Sequence, residues 1–180
     1  YADPVSLGST GGTYYDVAVG DFDEDGMLDY VTLYYYNSGS YNVFHGGNGD
    51  GTFTKKTNIV GSGTTWYNYA NCVGDFNEDG HLDLAVAYSY YVYFMEGNGD
   101  GTFKGPTQAV YYPSYTIYFL AEGDFNSDGD LDLVFANYNN GLMYRAYGNG
   151  DGTFGSPAYT GTDLAPLTYD YPRGDSYDFD

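Results

Sequence analysis

The sequence is poor in cysteine and in basic residues, and both shortages restrict what the protein can do. Its 180 residues include a single cysteine, so no disulfide bond can form within the chain. Lys and Arg together number 5 against 25 Asp and Glu, which gives a formal net charge of −20. Nucleic acids and anionic membrane surfaces repel such a protein, so we expect no nucleic-acid partner.

The sequence also lacks long apolar runs and any sustained helical period. No eighteen consecutive residues are apolar, and we therefore expect no membrane insertion. What it has instead is 25 Tyr, 11 Phe and 27 Gly. Tyr and Phe favour strands and Gly favours turns, so the composition predicts an all-β protein. Cys72 matches Ala18 and Ala121 in the repeats described next, which indicates a small core residue and not a reactive thiol.

Two motifs recur together at intervals of about fifty residues, a period typical of propellers and repeat arrays. The first, which we call the acidic loop, occurs as loops 1, 2 and 3 at Asp21-Phe-Asp-Glu-Asp-Gly-Met-Leu-Asp29, Asp75-Phe-Asn-Glu-Asp-Gly-His-Leu-Asp83 and Asp124-Phe-Asn-Ser-Asp-Gly-Asp-Leu-Asp132. The second, the glycine turn, is Gly-Asn-Gly-Asp-Gly-Thr-Phe at 47–53, 97–103 and 148–154. Its Asn-Gly and Asp-Gly pairs suit a tight hairpin.

Each repeat is expected to form a four-stranded antiparallel blade. The first strand leads into the acidic loop, and an apolar second strand leaves it (28–36, 82–90 and 131–138). A short third strand precedes the glycine turn, and a fourth starts at Phe53, Phe103 or Phe154. The weak alternation of the second strand indicates that neighbours cover both of its faces. The fold class is thus all-β, with three propeller-type blades that do not close a ring alone.

The whole chain, 1–180, is expected to be one repeat domain. Repeat 1 spans about 11–60, repeat 2 about 61–110 and repeat 3 about 111–160, flanked by partial repeats at 1–10 and 161–180 that pair with a neighbouring blade or subunit. A fourth acidic loop would begin at Arg173-Gly-Asp175 or at Asp178. This frame explains Arg-Gly-Asp better than an integrin-recognition tripeptide does. We expect either circular closure with shared strands or a segment of a longer array.

The acidic loop indicates a calcium site, because calcium takes six to eight hard oxygen ligands from such spacings and a glycine at position 6 allows the sharp turn. The expected side-chain ligands occupy positions 1, 3, 5 and 9, which are Asp21, Asp23, Asp25 and Asp29, then Asp75, Asn77, Asp79 and Asp83, then Asp124, Asn126, Asp128 and Asp132. Position 7 would add only its backbone carbonyl, from Met27, His81 or Asp130. Ordinary solvated turns are the alternative, but three aligned sets of four oxygen side chains favour three Ca²⁺ sites. Loop 1, with four carboxylates, should bind most tightly.

These motifs resemble those of the FG-GAP or VCBS repeat family. The acidic loop has the pattern Asp-x-Asp/Asn-x-Asp-Gly-x-x-Asp after a glycine and before an apolar strand, and the glycine turn is similar to that of VCBS members. The resemblance implies the calcium-bearing β-propellers of integrin α-chains and of secreted bacterial and fungal proteins. It implies no catalysis, because the family includes adhesion modules, lectin-like proteins and enzyme-appended domains. Propellers close with four to eight blades, so three repeats imply a ring of two chains, a longer chain or open stacking.

We expect no enzyme. Neither His45 nor His81 aligns as a positioned base, and the clustered carboxylates are assigned to metal. Tyr clusters at 34–36, 88–93 and 111–115 suit core packing, self-association or sugar stacking. The sequence therefore predicts an extracellular or cell-surface, calcium-stabilised structural or adhesive module that assembles with like subunits into a ring or filament. The alternatives are a lectin-like carbohydrate-binding module and a fragment of a larger secreted propeller protein.

Overall fold

The computed structural model describes residues 13–36, 39–60, 68–113, 116–138 and 141–163, and these residues form twelve strands in three antiparallel sheets. Blade 1 contains β1 (Thr13–Gly20), β2 (Asp29–Tyr36), β3 (Gly39–Gly47) and β4 (Phe53–Val60). Blade 2 contains β5 (Asn68–Gly74), β6 (Asp83–Tyr88), β7 (Tyr91–Met95) and β8 (Thr107–Tyr111). Blade 3 contains β9 (Ile117–Gly123), β10 (Asp132–Asn137), β11 (Leu142–Ala146) and β12 (Ala158–Asp163).

The strands of each blade follow chain order, so the predicted all-β architecture of three four-stranded blades is confirmed. The described residues include no helix long and apolar enough to cross a membrane. The partial repeat predicted at 1–10, the Arg-Gly-Asp tripeptide at 173–175 and the proposed loop start at Asp178 lie outside the described residues, as does most of 161–180.

The second strand of each blade is covered on both faces, as its apolar sequence predicts. In β6 every residue from Asp83 to Ala87 is buried, although successive side chains point to opposite faces. The hydrophobic core lies between adjacent blades, with one cluster joining blades 1 and 2 and another joining blades 2 and 3. The blades therefore stack face to face.

The fourth strand starts where the sequence predicted in blade 1 but later in the other two blades. Phe103 and Phe154 each form only an isolated bridge, with Gly97 and Gly148, and the strands resume at Thr107 and Ala158. The residue before each of these starts is a proline, Pro106 or Pro157. Proline has no N–H to donate to the ladder, so pairing resumes after it. Residues 54–56 of blade 1 include no proline, and β4 runs unbroken from Phe53.

The first strands lie side by side, with β5 packed beside both β1 and β9. Asp16 of β1 accepts a hydrogen bond from the backbone N–H of Asn71 in β5 at 2.8 Å, which links the two strands directly. Burial raises the pKa of Asp16 above its ordinary value. Because each first strand leads into an acidic loop, this packing brings the three loops to corresponding ends of neighbouring blades.

Candidate metal centres

Each acidic loop connects the first strand of a blade to the second and has the same backbone conformation. Position 6 has a positive φ in all three loops, at Gly26 (83°), Gly80 (91°) and Gly129 (103°). Position 4 also lies in the left-handed region although it is not glycine, with φ between 56° and 63° at Glu24, Glu78 and Ser127. The φ angles of 83–103° at position 6 lie beyond the left-handed range that other residues tolerate, which explains why position 6 is glycine in every copy.

The carboxylate at position 1 holds the sharp turn of each loop. In loop 1, Asp21 Oδ1 accepts a hydrogen bond from Asp25 N at 3.1 Å, and Oδ2 accepts one from Gly26 N at 3.0 Å. The same pair of hydrogen bonds recurs in loops 2 and 3, at Asp75 and Asp124. The position 5 carboxylate in turn accepts from the position 7 N–H at 2.9–3.0 Å in every loop. The loops thus keep one geometry despite their different side chains.

Position 9 is buried and joins the acidic loop to the glycine turn of its own blade. Asp29, Asp83 and Asp132 are exposed by only 1%, 0% and 0%. One oxygen of each accepts a hydrogen bond from the position 2 N–H at 2.9–3.0 Å. The other accepts from the first glycine of the turn, Gly47, Gly97 or Gly148, at 2.8–2.9 Å. Sequence reasoning assigned these residues to calcium alone. The recurrence of both motifs in every repeat was the available signal for this second role, although 18, 14 and 16 residues separate the bonded pairs.

Position 3 distinguishes loop 1 from the other two loops. In loop 1, one oxygen each of Asp21, Asp23 and Asp29 lie within 4.8 Å of one another, as three ligands of one cation would. Asp25 is not part of that group, and its Oδ1 accepts a hydrogen bond from Met27 N at 2.9 Å.

In loops 2 and 3 position 3 is an asparagine that donates to the neighbouring aspartate. Asn77 Nδ2 donates to Asp79 Oδ2 at 2.9 Å, and Asn126 Nδ2 to Asp128 Oδ2 at 2.7 Å. The amide therefore offsets part of the carboxylate repulsion in these loops, whereas loop 1 has a carboxylate, Asp23, at this position.

The side chains at position 7 contact the glycine turn. Met27 lies against Gly49, His81 against Gly99 and Asp130 against Gly150. His81 Nδ1 also lies 2.5 Å from Glu24 Oε1, so this ion pair joins loop 2 to loop 1. The Glu24 carboxylate raises the pKa of His81. Because 57 residues separate the two, no local pattern could have indicated this pair.

Electrostatics in loop 2 favour a bound cation. Burial, together with the nearby carboxylates of Asp79 and Asp75, raises the pKa of Asp83 to about 6 despite the lowering effect of the N–H groups of Gly97 and Phe76. Ionised carboxylates this close repel one another, and a bound cation would remove that repulsion. Hard carboxylate and amide oxygens are the donors that Ca²⁺ takes, so the donor set fits this ion in all three loops.

The remaining candidate residues have structural surroundings. His45 stacks on Tyr30 with ring centroids 4.4 Å apart, and its Nε2 lies 3.3 Å from Thr32 Oγ1. Cys72 is buried, and burial, followed by nearby Glu122, raises the pKa of its thiol well above the ordinary value. A thiol with a raised pKa is a poor nucleophile, in keeping with the expected core role.

Comparison with known proteins agrees with this fold. A model of the FG-GAP-like repeat matches residues 21–86, 75–135 and 124–180. No curated protein matches the chain. A solved structure that describes specific recognition of non-reducing terminal N-acetylglucosamine by a lectin of Agrocybe aegerita is similar, with 19% identity and a TM-score of 0.58. That similarity covers 82% of this chain but only 38% of the lectin chain, so this chain matches well under half of the lectin's length. With three consecutive matches in register with its three acidic loops, the chain belongs to the FG-GAP-like repeat family.

Proposed function

We propose that this chain is an extracellular, calcium-stabilised repeat module with a structural or adhesive role, which assembles with like subunits. The observation that supports it best is the group of Asp21, Asp23 and Asp29 oxygens within 4.8 Å, in a loop whose backbone geometry two further loops share. Calcium would replace carboxylate repulsion with attraction at each loop.

Calcium would be held by positions 1, 3, 5 and 9 of each loop, with the position 7 carbonyl. Position 9 would have a double role, since its carboxylate already fixes the loop to the glycine turn. Binding would therefore stabilise the whole blade, because the free energy of binding to the folded state adds to the free energy of folding. A chain without disulfides would gain its stability outside the cell in this way.

The proposal includes no catalytic activity. The carboxylates grouped in the acidic loops serve as metal ligands, and His45 is held in a ring stack. We place the protein outside the cell or on its surface because calcium is abundant there, and because repeats of this family occur in secreted and adhesive proteins. Assembly would place two copies in one ring or many copies in a filament.

The calcium proposal is tested by isothermal titration calorimetry and by thermal unfolding with and without chelator. We expect uptake of three Ca²⁺ per chain and a lower melting temperature in chelator. The variants Asp21→Asn and Asp124→Asn should each remove one site. A matched control is Asp50→Asn, which changes an exposed carboxylate of the glycine turn whose partner is Thr52. Absence of calcium uptake, or a melting temperature that chelator does not change, would contradict the proposal.

A lectin-like function is the second candidate, supported by a row of tyrosines across the blades. Tyr69 lies between Tyr15 and Tyr118, with ring centroids 5.8 Å and 4.1 Å away, and Tyr118 stacks on Tyr138 at 4.4 Å. Tyr15, Tyr118 and Tyr138 are 41%, 40% and 47% exposed. Exposed aromatic faces suit stacking on sugar rings.

The lectin of Agrocybe aegerita gives this candidate its first ligand to test, N-acetylglucosamine. A glycan array would show selective retention if the tyrosine row binds sugar, and Tyr118→Ala should abolish it. Tyr90→Ala, which removes a tyrosine of similar exposure (43%) elsewhere, is the control. No retention of any glycan would exclude this candidate.

A further inference from the structure

One set of contacts between blades occurs twice among the residues that the structure describes. Gly101, in the glycine turn of blade 2, donates its N–H to the carbonyl of Phe22 in loop 1 at 2.9 Å. Gly152, at the same position in blade 3, donates to the carbonyl of Phe76 in loop 2 at 3.0 Å. Each loop is therefore hydrogen-bonded to the turn of the following blade.

Aromatic packing accompanies both hydrogen bonds. Phe22 lies 5.7 Å from Phe103, and Phe76 lies 5.8 Å from Phe154, measured between ring centroids. Phe22 and Phe76 are each only 2% exposed as a result. The phenylalanine at position 2 of a loop is thus buried by the blade that follows.

A leucine at position 8 of the following blade's acidic loop adds to the contact. Leu82 of loop 2 lies over Gly20, and Leu131 of loop 3 lies over Gly74. The approach is so close that a Cβ on either glycine would lie 2.6 Å or 2.5 Å from a leucine methyl group. A glycine immediately before the loop is therefore required wherever another blade follows.

The surface by which a blade contacts the blade that follows it is called the trailing face here. On blade 3 the apolar residues of this face are exposed. Phe125, at position 2 of loop 3, is 52% exposed, whereas its equivalents in loops 1 and 2 are buried. Phe119 of β9 is 48% exposed, whereas Ala70, at the equivalent position of β5, is 5% exposed. Two large aromatic residues therefore lie on the face that blades 1 and 2 use for packing.

Blade 1 presents the other side of this contact, which we call the leading face. Leu28, at position 8 of loop 1, is 67% exposed. Val17 of β1 is 54% exposed, although its equivalents Asn71 and Leu120 are 7% and 6% exposed. The blade thus leaves its apolar packing residues in contact with solvent.

Beside Leu28 the leading face has a groove of about 360 Å³, lined by residues of loop 1 and the first glycine turn, among them Gly51, Thr52 and Phe53. A Cβ on Gly51 would meet no atom within 4 Å, whereas one on Gly101 would lie 2.6 Å from the Phe44 ring. The groove therefore occupies the place that residues of the preceding blade fill in blades 2 and 3.

From these two faces we propose that the trailing face of one copy binds the leading face of a second copy of this chain. This inference rests on the assembly proposed above and names its surface. Phe125 would enter the groove beside Leu28, and Gly51 N–H would donate to the Phe125 carbonyl, as Gly101 does to that of Phe22. The contact continues an interface that the chain already forms twice.

The number of blades also favours a second copy of this chain, and the charges at one facing pair of loop positions do not oppose it. The described residues of two copies form six blades, within the four to eight that close a propeller, so two such contacts would complete one ring. Between loops 1 and 2 the facing side chains are the ion pair Glu24 and His81. Between loop 3 and loop 1 of the next copy the equivalent residues would be Ser127 and Met27. Neither is charged, so these two positions bury no unpaired charge.

The test uses the full 180-residue chain in calcium, with mass measured by light scattering and native mass spectrometry. Val17→Glu and Phe119→Glu each introduce a charge on one face, on strands away from the calcium ligands. The matched control is Tyr90→Glu, which changes an exposed side chain between β6 and β7. We expect wild type and control to have the mass of two copies and each face variant that of one, with at least a hundredfold weaker association.

Mixing the two face variants gives the decisive result. A Val17→Glu copy keeps its trailing face and a Phe119→Glu copy keeps its leading face, so one intact contact can form between them. We expect a one-to-one pair in the mixture although each variant alone has the mass of one copy. A contact between two like faces would not be restored by mixing.

Each other outcome overturns a stated part of the inference. A wild-type chain with the mass of one copy at high concentration, or variants that associate like wild type, would show that these faces do not bind each other. Circular dichroism of each variant must match wild type. Calcium uptake, measured on the same samples, reports separately on the calcium proposal: a single copy that binds calcium contradicts only the contact, and a pair that binds none contradicts only the calcium.

Discussion

The carboxylate of Asp83 accepts a hydrogen bond from the backbone N–H of Gly97 at 2.8 Å, and so holds loop 2 against the glycine turn of its blade. Its other oxygen accepts from Phe76 N at 3.0 Å. Asp83 is fully buried, so both hydrogen bonds are shielded from water. This residue has a structural role that does not require a metal, and the role can be separated from calcium binding.

Asp83→Asn should destabilise the protein even in chelator. An amide has one acceptor oxygen, and its NH₂ group would face a backbone N–H that then has no acceptor. The lost hydrogen bond costs about 1–3 kcal/mol, and removal of the buried charge offsets part of it. The expected net loss is about 1 kcal/mol in the free energy of unfolding, measured by denaturant titration at pH 7.5. Asp79→Asn changes an exposed position 5 ligand and should cost under about 0.5 kcal/mol in chelator, while it weakens calcium uptake. Equal losses for the two variants would contradict the structural role of position 9.

Calcium binding at loop 2 should weaken as the pH falls through about 6. Burial raises the pKa of Asp83 to about 6, so the calcium-free loop is protonated below that value and must release the proton to bind. Without calcium, the stability of the fold changes with pH in the opposite direction to that expected for an aspartate in an ion pair. The raised pKa stabilises the fold below the unfolded value of 3.8, and this contribution is lost as the pH rises through about 6.

Calorimetry in buffers of different ionisation enthalpy measures the expected proton release. Near pH 6, binding at loop 2 should release close to one proton, and its affinity should fall about tenfold per pH unit below that. The comparison is Asp83→Asn, in which this proton release should disappear. An affinity at loop 2 that stays constant between pH 5 and 7 would contradict the prediction.

Gly101→Ala and Gly51→Ala form a matched pair that measures packing between blades. Both glycines have a positive φ, 76° and 85°, so alanine is strained at either position by about 1–2 kcal/mol. Only at Gly101 would the new Cβ also meet the Phe44 ring, at 2.6 Å. We expect Gly101→Ala to lower the free energy of unfolding by about 1–3 kcal/mol more than Gly51→Ala does.

Both alanine variants are best compared in the Phe119→Glu background, where the proposed contact between copies is absent. Chemical denaturation in saturating calcium gives the two free energies. If the two variants lose the same stability, the close packing of Phe44 on Gly101 contributes nothing beyond backbone strain.

Exchanging the residues at position 3 should exchange the affinities of the loops. Asp23→Asn gives loop 1 the ligand set of loops 2 and 3, and Asn77→Asp gives loop 2 the set of loop 1. The charge of the ligands tunes calcium affinity. We therefore expect Asp23→Asn to lower the affinity of loop 1 about tenfold and Asn77→Asp to raise that of loop 2 about tenfold. Site-resolved titration by NMR follows each loop separately. Unchanged affinities would mean that position 3 is not a ligand.

The repeat pattern allowed the blades, the loops and their strand order to be predicted, because each depends on residues close in sequence. The late start of β8 and β12 also has a local cause in Pro106 and Pro157, but the aromatic residues at 103 and 154 favour an earlier start. Contacts between blades could not be predicted from the sequence. The pair of Glu24 and His81, and the packing of Leu82 on Gly20, join residues more than fifty positions apart.

The acidic loop is also half of the contact with the next blade, and this couples metal occupancy to cooperativity. Phe22 lies between Asp21 and Asp23, and its carbonyl accepts the hydrogen bond from Gly101. A loop that loses its ion would therefore weaken its contact with the next blade. Since each blade is stabilised by its neighbours, the loss of stability would spread along the array. In a single copy, such as the Phe119→Glu variant, blade 2 is held on both sides and should exchange its amide hydrogens most slowly. Removing calcium from loop 1 should then speed exchange in the glycine turn of blade 2 before it affects blade 3.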